Sequence, residues 1–176
     1  MKKIAVFCSA SQEIDPQYNK VAREFVRAAC LCGYGIVSGG TVKGTMGCIS
    51  DEICQCGGYH LGVIPRFMKA YVYPDLSETV WTETMAERKT TMRKDTCAVV
   101  ALPGGMGTLD ELVETIALVH LKKYSGKVLL LNHDGFYEPL RNLMHHYLKT
   151  GMMTEDTYSK VLFAQTSQEL IEMLES

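Results

Sequence analysis

No stretch of this sequence is apolar for long enough to cross a membrane. Neither sign of charge dominates: 18 Lys and Arg stand against 20 Asp and Glu, a net charge of −2. Such a balance attracts neither nucleic acid nor an anionic membrane surface, so neither is expected as a partner. The first strand-to-helix turn, Cys8-Ser9-Ala10-Ser11, contains no glycine. A dinucleotide fold would carry G-x-G-x-x-G there, which argues against NAD or FAD. Gly39 to Thr45 reads GGTVKGT, with Lys43 ahead of the closing glycine where a Walker loop has it after, so triphosphatase chemistry is rejected. There is no G-x-S-x-G elbow of a serine hydrolase. Nor is there an internal repeat, low-complexity tract or linker, so residues 1–176 read as one domain.

Seven cysteines are present, yet C-x-x-C is not. Cys30/Cys32 and Cys54/Cys56 form C-x-C pairs; on a helix, residues two apart diverge and make poor co-ligands for zinc. The odd count argues against a disulfide framework. Buried free thiols in a reducing cytosol are the expectation, and with them a cytoplasmic protein. His120, His133, His145 and His146 lack metal-binding spacing, and no metal site is expected. The opening MKKIAVFCSA has two lysines before a short apolar run, but Gln12, Glu13 and Asp15 follow closely, so it reads as a first strand and not as a signal segment.

What is present centres on Cys97 to Leu121. An uninterrupted apolar run, Cys97 to Leu102, marks a strand buried on both faces of a parallel sheet. Pro103-Gly-Gly-Met-Gly107 breaks it, and helical spacing resumes at Leu109, Leu112, Val113, Ile116 and Val119. Strand, glycine turn and helix aim free N–H groups, at the positive end of a helix, at whatever lies above the strand. This is a candidate phosphate cradle.

Other strands are expected at Lys3 to Cys8, Gly35 to Ser38, His60 to Ile64, Glu78 to Glu83, Lys127 to Asn132 and Val161 to Ala164. Helices are expected from Asp15-Pro16 to about Gly33, through Met46 and Ile53 to Gly57, from Thr84 to Asp95, from Phe136 to Lys149, and after the capping box Thr166-Ser-Gln-Glu169. Arg66 to Ser77 is irregular and reads as a rim or lid. The alternation predicts an α/β fold, a Rossmann-like open parallel sheet with helices on both faces, its ligand beyond the carboxyl ends of the strands.

Three turns should converge there: Ser9 to Ser11, Gly39-Gly40 to Gly47, and Pro103 to Thr108. With the basic pair Arg88-Lys89 they point to a small phosphorylated ligand. Two residues carry two readings each. Thr108-Leu-Asp-Glu111 fits a capping box, in which Glu111 merely closes its own helix; alternatively Glu111 is a carboxylate facing a sugar bound at that helix's start. Arg88 belongs to a charged helix and reads either as part of a solvated face paired with Glu87 and Asp95 or as a functional cation.

These residues resemble a known family. Pro103-Gly-Gly-Met-Gly-Thr-Leu-Asp-Glu111 fits P-G-G-x-G-T-x-x-E, and Met85-Ala-Glu-Arg-Lys89 fits M-H-E-R-K, both signatures of the LOG family. Val6 to Cys8, Met46-Gly47, Gly62 to Arg66 and Asn132 to Tyr137 extend the likeness. The resemblance implies a Rossmann-like homodimer with sites near the interface, acting as a cytokinin riboside 5′-monophosphate phosphoribohydrolase or AMP nucleosidase. The substrate would be AMP or an N6-modified AMP, cut at its N-glycosidic bond to free base and ribose 5-phosphate. Arg88 and Glu111 would be the catalytic pair. Lys89, Gly104, Gly105, Met106, Gly107 and Thr108 would hold the nucleotide, with Ser9, Gly39, Gly40 and Met85 around it. No cofactor is implied. The family's other label, "lysine decarboxylase-like", would require pyridoxal phosphate on a lysine, and no lysine here has such a setting. The chain departs from the family pattern at Ser38, Thr41, Thr45 and Ala86, and has Leu118 to Lys122 where a tryptophan is usual, which bears on base specificity and dimer contacts. The alternative is a non-catalytic carrier of a nucleotide-like cofactor on the same fold.

Overall fold

The computed structural model of the chain describes residues 1–176. Seven parallel strands form one sheet in the order β4-β3-β2-β1-β5-β6-β7. In chain order they are β1 Lys3–Phe7, β2 Gly35–Ser38, β3 His60–Pro65, β4 Glu78–Thr82, β5 Ala98–Ala101, β6 Lys127–Leu131 and β7 Val161–Ala164. The helices are α1 Pro16–Leu31, α2 Gly44–Gln55, α3 Met85–Arg93, α4 Met106–His120, α5 Glu138–Lys149, the single turn α6 Glu155–Tyr158 and α7 Ser167–Glu175. The predicted α/β class holds. The chain builds outward from β1 to β4, then returns to the other side of β1 with β5, so the loops after β1 and β5 diverge and leave a crevice between them.

Alternation along the strands divides the core. Ile4, Val6 and Cys8 pack under α1, α2 and α7, while Ala5, Phe7 and Val99 face Met92 of α3. Leu112, Ile116 and Val119 of α4 cover β5 and β6 from that second side. Burying a side chain such as Phe7 stabilises by roughly 1.5–3 kcal/mol, and truncating it to alanine costs about 3–5 kcal/mol through the void it leaves.

Local chemistry sets the helix starts. Asp15 accepts from the Gln17 N–H ahead of Pro16, and Thr166 accepts from Glu169 N–H, both as expected. A further capping box starts α3: Thr84 Oγ1 accepts from Glu87 N–H, and Glu87 reaches back to accept from Glu83 N–H at 2.8 Å. Arg66 to Ser77 is less irregular than its sequence suggests. Arg66–Tyr71 forms a 3-10 helix, and Val72 bridges antiparallel to Thr41.

The cysteine expectation needs correction. All seven are free, but only Cys8 is buried; Cys32, Cys54 and Cys97 are exposed. The C-x-C pairs straddle the last turns of α1 and α2, where the helices run out into solvent. No group of three or more His, Cys, Asp or Glu side chains comes together as a metal site.

Candidate active site

Arg88 and Glu111 meet at the carboxyl edge of the sheet. The Arg88 Nη1 donates to Glu111 Oε1 at 2.6 Å, and the residues are 4% and 5% exposed. Helical periodicity puts them there. On α4 the inward stripe is Thr108, Glu111, Leu112, Thr115, Ile116 and Val119; on α3 Arg88 lies one turn before the buried Met92. Arg88 is further fixed by Nε, which donates to the Val63 carbonyl at 3.1 Å. Behind it lies Gly39: a Cβ at that position would overlap Arg88 Nη2. Gly40 adopts a left-handed φ of +61° with its backbone against Gly62, a close approach that glycine permits. The Gly40 N–H donates to Ser38 Oγ at 3.0 Å, and Ser38 Oγ lies 2.7 Å from Nε2 of buried His60.

This overturns both bland readings. Arg88 is not part of a solvated face, because the Glu87 carboxylate is occupied by its cap and the partner of Arg88 comes from another helix. Glu111 is not a capping residue: α4 begins at Met106 with Gly105 as N-cap, which puts Glu111 in the second turn, facing inward.

Burial is the larger influence on the Glu111 carboxyl and pushes its pKa up, while the guanidinium beside it pulls down. A carboxylate so placed titrates closer to neutrality than a surface glutamate while keeping a cation at hand. The same burial, with Glu111 near, pushes the Cys8 thiol well above its usual range.

The pair borders a cavity of about 290 Å³. Along one side run Ser9, Ser11, Gly105, Gly107 and Thr108. No side chain caps α4, and the amides of Met106, Gly107 and Thr108 have no backbone acceptor in the chain. Nothing lies within 4 Å of where a Cβ of Gly105 or Gly107 would stand, so the approach to these donors is open. Thr108 is buried against Gly104, and Met106 is exposed. Ser9 Oγ accepts from Ser11 N–H at 3.0 Å, and the Ser9 carbonyl accepts from Met46 N–H at 3.2 Å, which ties this turn to α2. A smaller recess of about 180 Å³ continues past Ser9 and Gly105 toward Tyr18 and Phe136.

Other candidates fall differently. Met85 lines the cavity. Gly39 and Gly40 do not; Gly39 backs Arg88, and Gly40 packs on Gly62. Lys89 points away: Nζ donates to Asp110 at 2.9 Å and Glu114 at 2.5 Å, and these bonds raise its pKa. Beside it Arg93 pairs with the same Glu114. Cys8, Ala10, Ser11, Met46 and Met68 complete the wall, and none of them is among the site residues expected from the sequence. The first four lie in the turn Cys8 to Ser11 or the turn Gly39 to Gly47, whereas nothing in the sequence marks Met68.

Known proteins resemble this chain in sequence and in fold. The family described as "Possible lysine decarboxylase" matches residues 46–174. A rice protein named "Probable cytokinin riboside 5'-monophosphate phosphoribohydrolase LOGL3" is 34% identical, over 99% of this chain and 83% of its own length. The Arabidopsis thaliana phosphoribohydrolase LOG5 is 32% identical, over 99% and 78%. Among solved structures, the molybdenum cofactor binding protein of Rippkaea orientalis superposes with a TM-score of 0.75 at 22% identity, covering 99% of this chain and 95% of that one. The molybdenum cofactor carrier protein of Chlamydomonas reinhardtii gives 0.76 at 18% identity, over 99% and 96%; at such identities the likeness is one of fold. The full-length matches to the phosphoribohydrolases, together with the family match over most of the chain, place this protein in the LOG family.

Proposed function

We propose that the chain hydrolyses the N-glycosidic bond of a nucleoside 5′-monophosphate, AMP or an N6-modified AMP, to the free base and ribose 5-phosphate. The observation that carries this is the buried Arg88–Glu111 pair beside the uncapped, glycine-lined start of α4. The amides there take the 5′-phosphate, as helix N-termini do. The ribose then lies over Glu111. As the bond from C1′ to the base nitrogen lengthens, positive charge builds on the ring, and the carboxylate stabilises it. Glu111 also accepts a proton of the attacking water: the water oxygen bonds to C1′, the glycosidic electron pair leaves with the base, and the proton passes from Glu111 to the departing base. The Arg88 guanidinium holds Glu111 in place and opposes the upward pull of burial on its carboxyl.

Pyridoxal chemistry does not fit. A lysine attacks an aldehyde to form a Schiff base only as the neutral amine, whereas Lys89, the lysine beside the pair, is clamped by two carboxylates that raise its pKa.

A homodimer with its sites near the interface belongs to this reading. Met106, Val113, Ala117 and Leu121 form an exposed, mostly apolar stripe on α4 that starts at the cavity mouth, a face suited to a second copy. Sedimentation would show a species of twice the chain mass, and Val113→Lys would shift it to monomer. Free thiols, three of them exposed, support a cytoplasmic setting. The continuous sheet supports a single domain over 1–176.

The direct test is incubation with AMP and chromatography for adenine and ribose 5-phosphate. Turnover by the native chain that is lost in Glu111→Gln supports the hydrolase. Tight AMP binding with no turnover would establish a carrier instead.

A further inference from the structure

Strand order fixes the order of loops along the carboxyl edge of the sheet, and with it what each part of a bound nucleotide meets. The phosphate donors follow β1 and β5: Ser9, Ser11 and the start of α4. Glu111 and the tip of Arg88 lie next to them. On the opposite flank the wall comes from the segments after β2, β3 and β4, which contribute Met46, Met68 and Met85 respectively. With the phosphate at α4 and C1′ above Glu111, the base extends toward these three thioethers.

Resting on the hydrolase reading, we infer that this chain selects its substrate by phosphate and sugar and does not read the group at position 6 of the purine. A thioether offers no donor and only a weak acceptor, but its polarisable, unbranched chain packs against the flat face of any purine. The one strongly polar side chain lining the cavity on this flank is Arg88, whose Nε and Nη1 are committed to the Val63 carbonyl and to Glu111 while Nη2 packs against the Gly39 backbone. Even the Met46 sulfur is engaged, by the Thr41 hydroxyl at 3.5 Å. Discrimination follows from this chemistry. A site that hydrogen-bonds one substrate group rejects analogues lacking it by about 10⁴- to 10⁵-fold, whereas an apolar wall separates near-isosteres by roughly 10- to 200-fold. Met85 is 42% exposed, so the flank opens to solvent, and a substituent on N6 projects outward without a clash. Amino, oxo and alkylamino purines are therefore all accepted here, with no more than the modest preference an apolar wall gives.

The test compares kcat/KM for ribose 5-phosphate release by the full chain from AMP, IMP and N6-benzyl-AMP. Values within about 200-fold of one another, the range an apolar wall allows, are expected. A preference beyond that range for one of them overturns the inference and leaves the hydrolase reading standing. Release from none of the three overturns both. Met68→Gln places a donor and an acceptor on the flank and should shift the ratio of AMP to IMP by more than tenfold; an unchanged ratio would mean that the base lies elsewhere.

Discussion

Helices α3 and α4 carry two ladders of opposite charge, side by side and with different fates. Arg88–Glu111 is buried, held at 2.6 Å and braced by the Val63 carbonyl and the Gly39 turn. One residue along, Lys89 and Arg93 meet Asp110 and Glu114, with Asp110 and Glu114 exposed over 59% and 33% of their side chains. Both pair a cation of α3 with a carboxylate of α4, at similar separations of 23 and 21 positions. Only the position about the helix axis differs, and it decides the chemistry. In water-poor surroundings a charge pair has a shifted titration and a strong field, whereas at the surface solvent screens it. The inner ladder is the one that can act on a sugar.

The sharpest way to break this contrast is by activity. Glu111→Gln and Arg88→Ala should each lower kcat for AMP about a thousandfold in steady-state assays, with Glu114→Gln within severalfold of the native chain. Equal losses from both ladders would erase the distinction. Next comes stability. Arg88→Met or Glu111→Leu alone leaves an uncompensated buried charge and should cost about 3–5 kcal/mol in urea unfolding, while the double variant regains most of it and stays inactive.

A pH series separates the buried groups from the surface ones. Burial lowers the His60 pKa from 6.5 to about 4, so the unfolded chain binds its proton first. Stability should thus be full above pH 6.5 and decline toward pH 4, by at most about 3 kcal/mol from this group. His60→Gln should flatten that decline. Glu114, held below the usual carboxylate range against desolvation by Lys89 and Arg93, acts later; its contribution is present above its unfolded pKa and is lost as pH falls through the folded one. The smallest effect is expected of Lys89→Ala, under about 1 kcal/mol with an unchanged KM for AMP. A large rise in KM without loss of stability would return Lys89 to the nucleotide site that the family resemblance assigns it.

The contrast also marks how far the sequence could be read. β2 and β7 emerge with the expected bounds because Gly35 to Ser38 and Val161 to Ala164 are short apolar runs, and buried parallel strands have few other forms. The glycine turn at Pro103 to Gly107 declares itself for the same local reason. Arg88 and Glu111 do not, since they lie 23 positions apart and each has a closer decoy. Glu87 is spent on the Thr84 cap, and Thr108 stands too late in α4 to cap it. Charge runs reveal composition; which member turns inward depends on a partner helix that local spacing does not contain. Met68 was invisible for a similar reason, since a 3-10 turn has no periodicity long enough to assign a face.

Cys8 sits on the cavity wall, and its thiol is pushed far above neutrality by burial and by the carboxylate nearby. A thiol raised in this way is a poor nucleophile and competes weakly with water for an electron-poor sugar carbon. Iodoacetamide should find Cys32, Cys54 and Cys97 long before it finds Cys8, leaving a labelled protein that still turns over nucleotide. The chemistry of the crevice is in this way insulated from the redox and alkylation traffic that its exposed sulfurs invite.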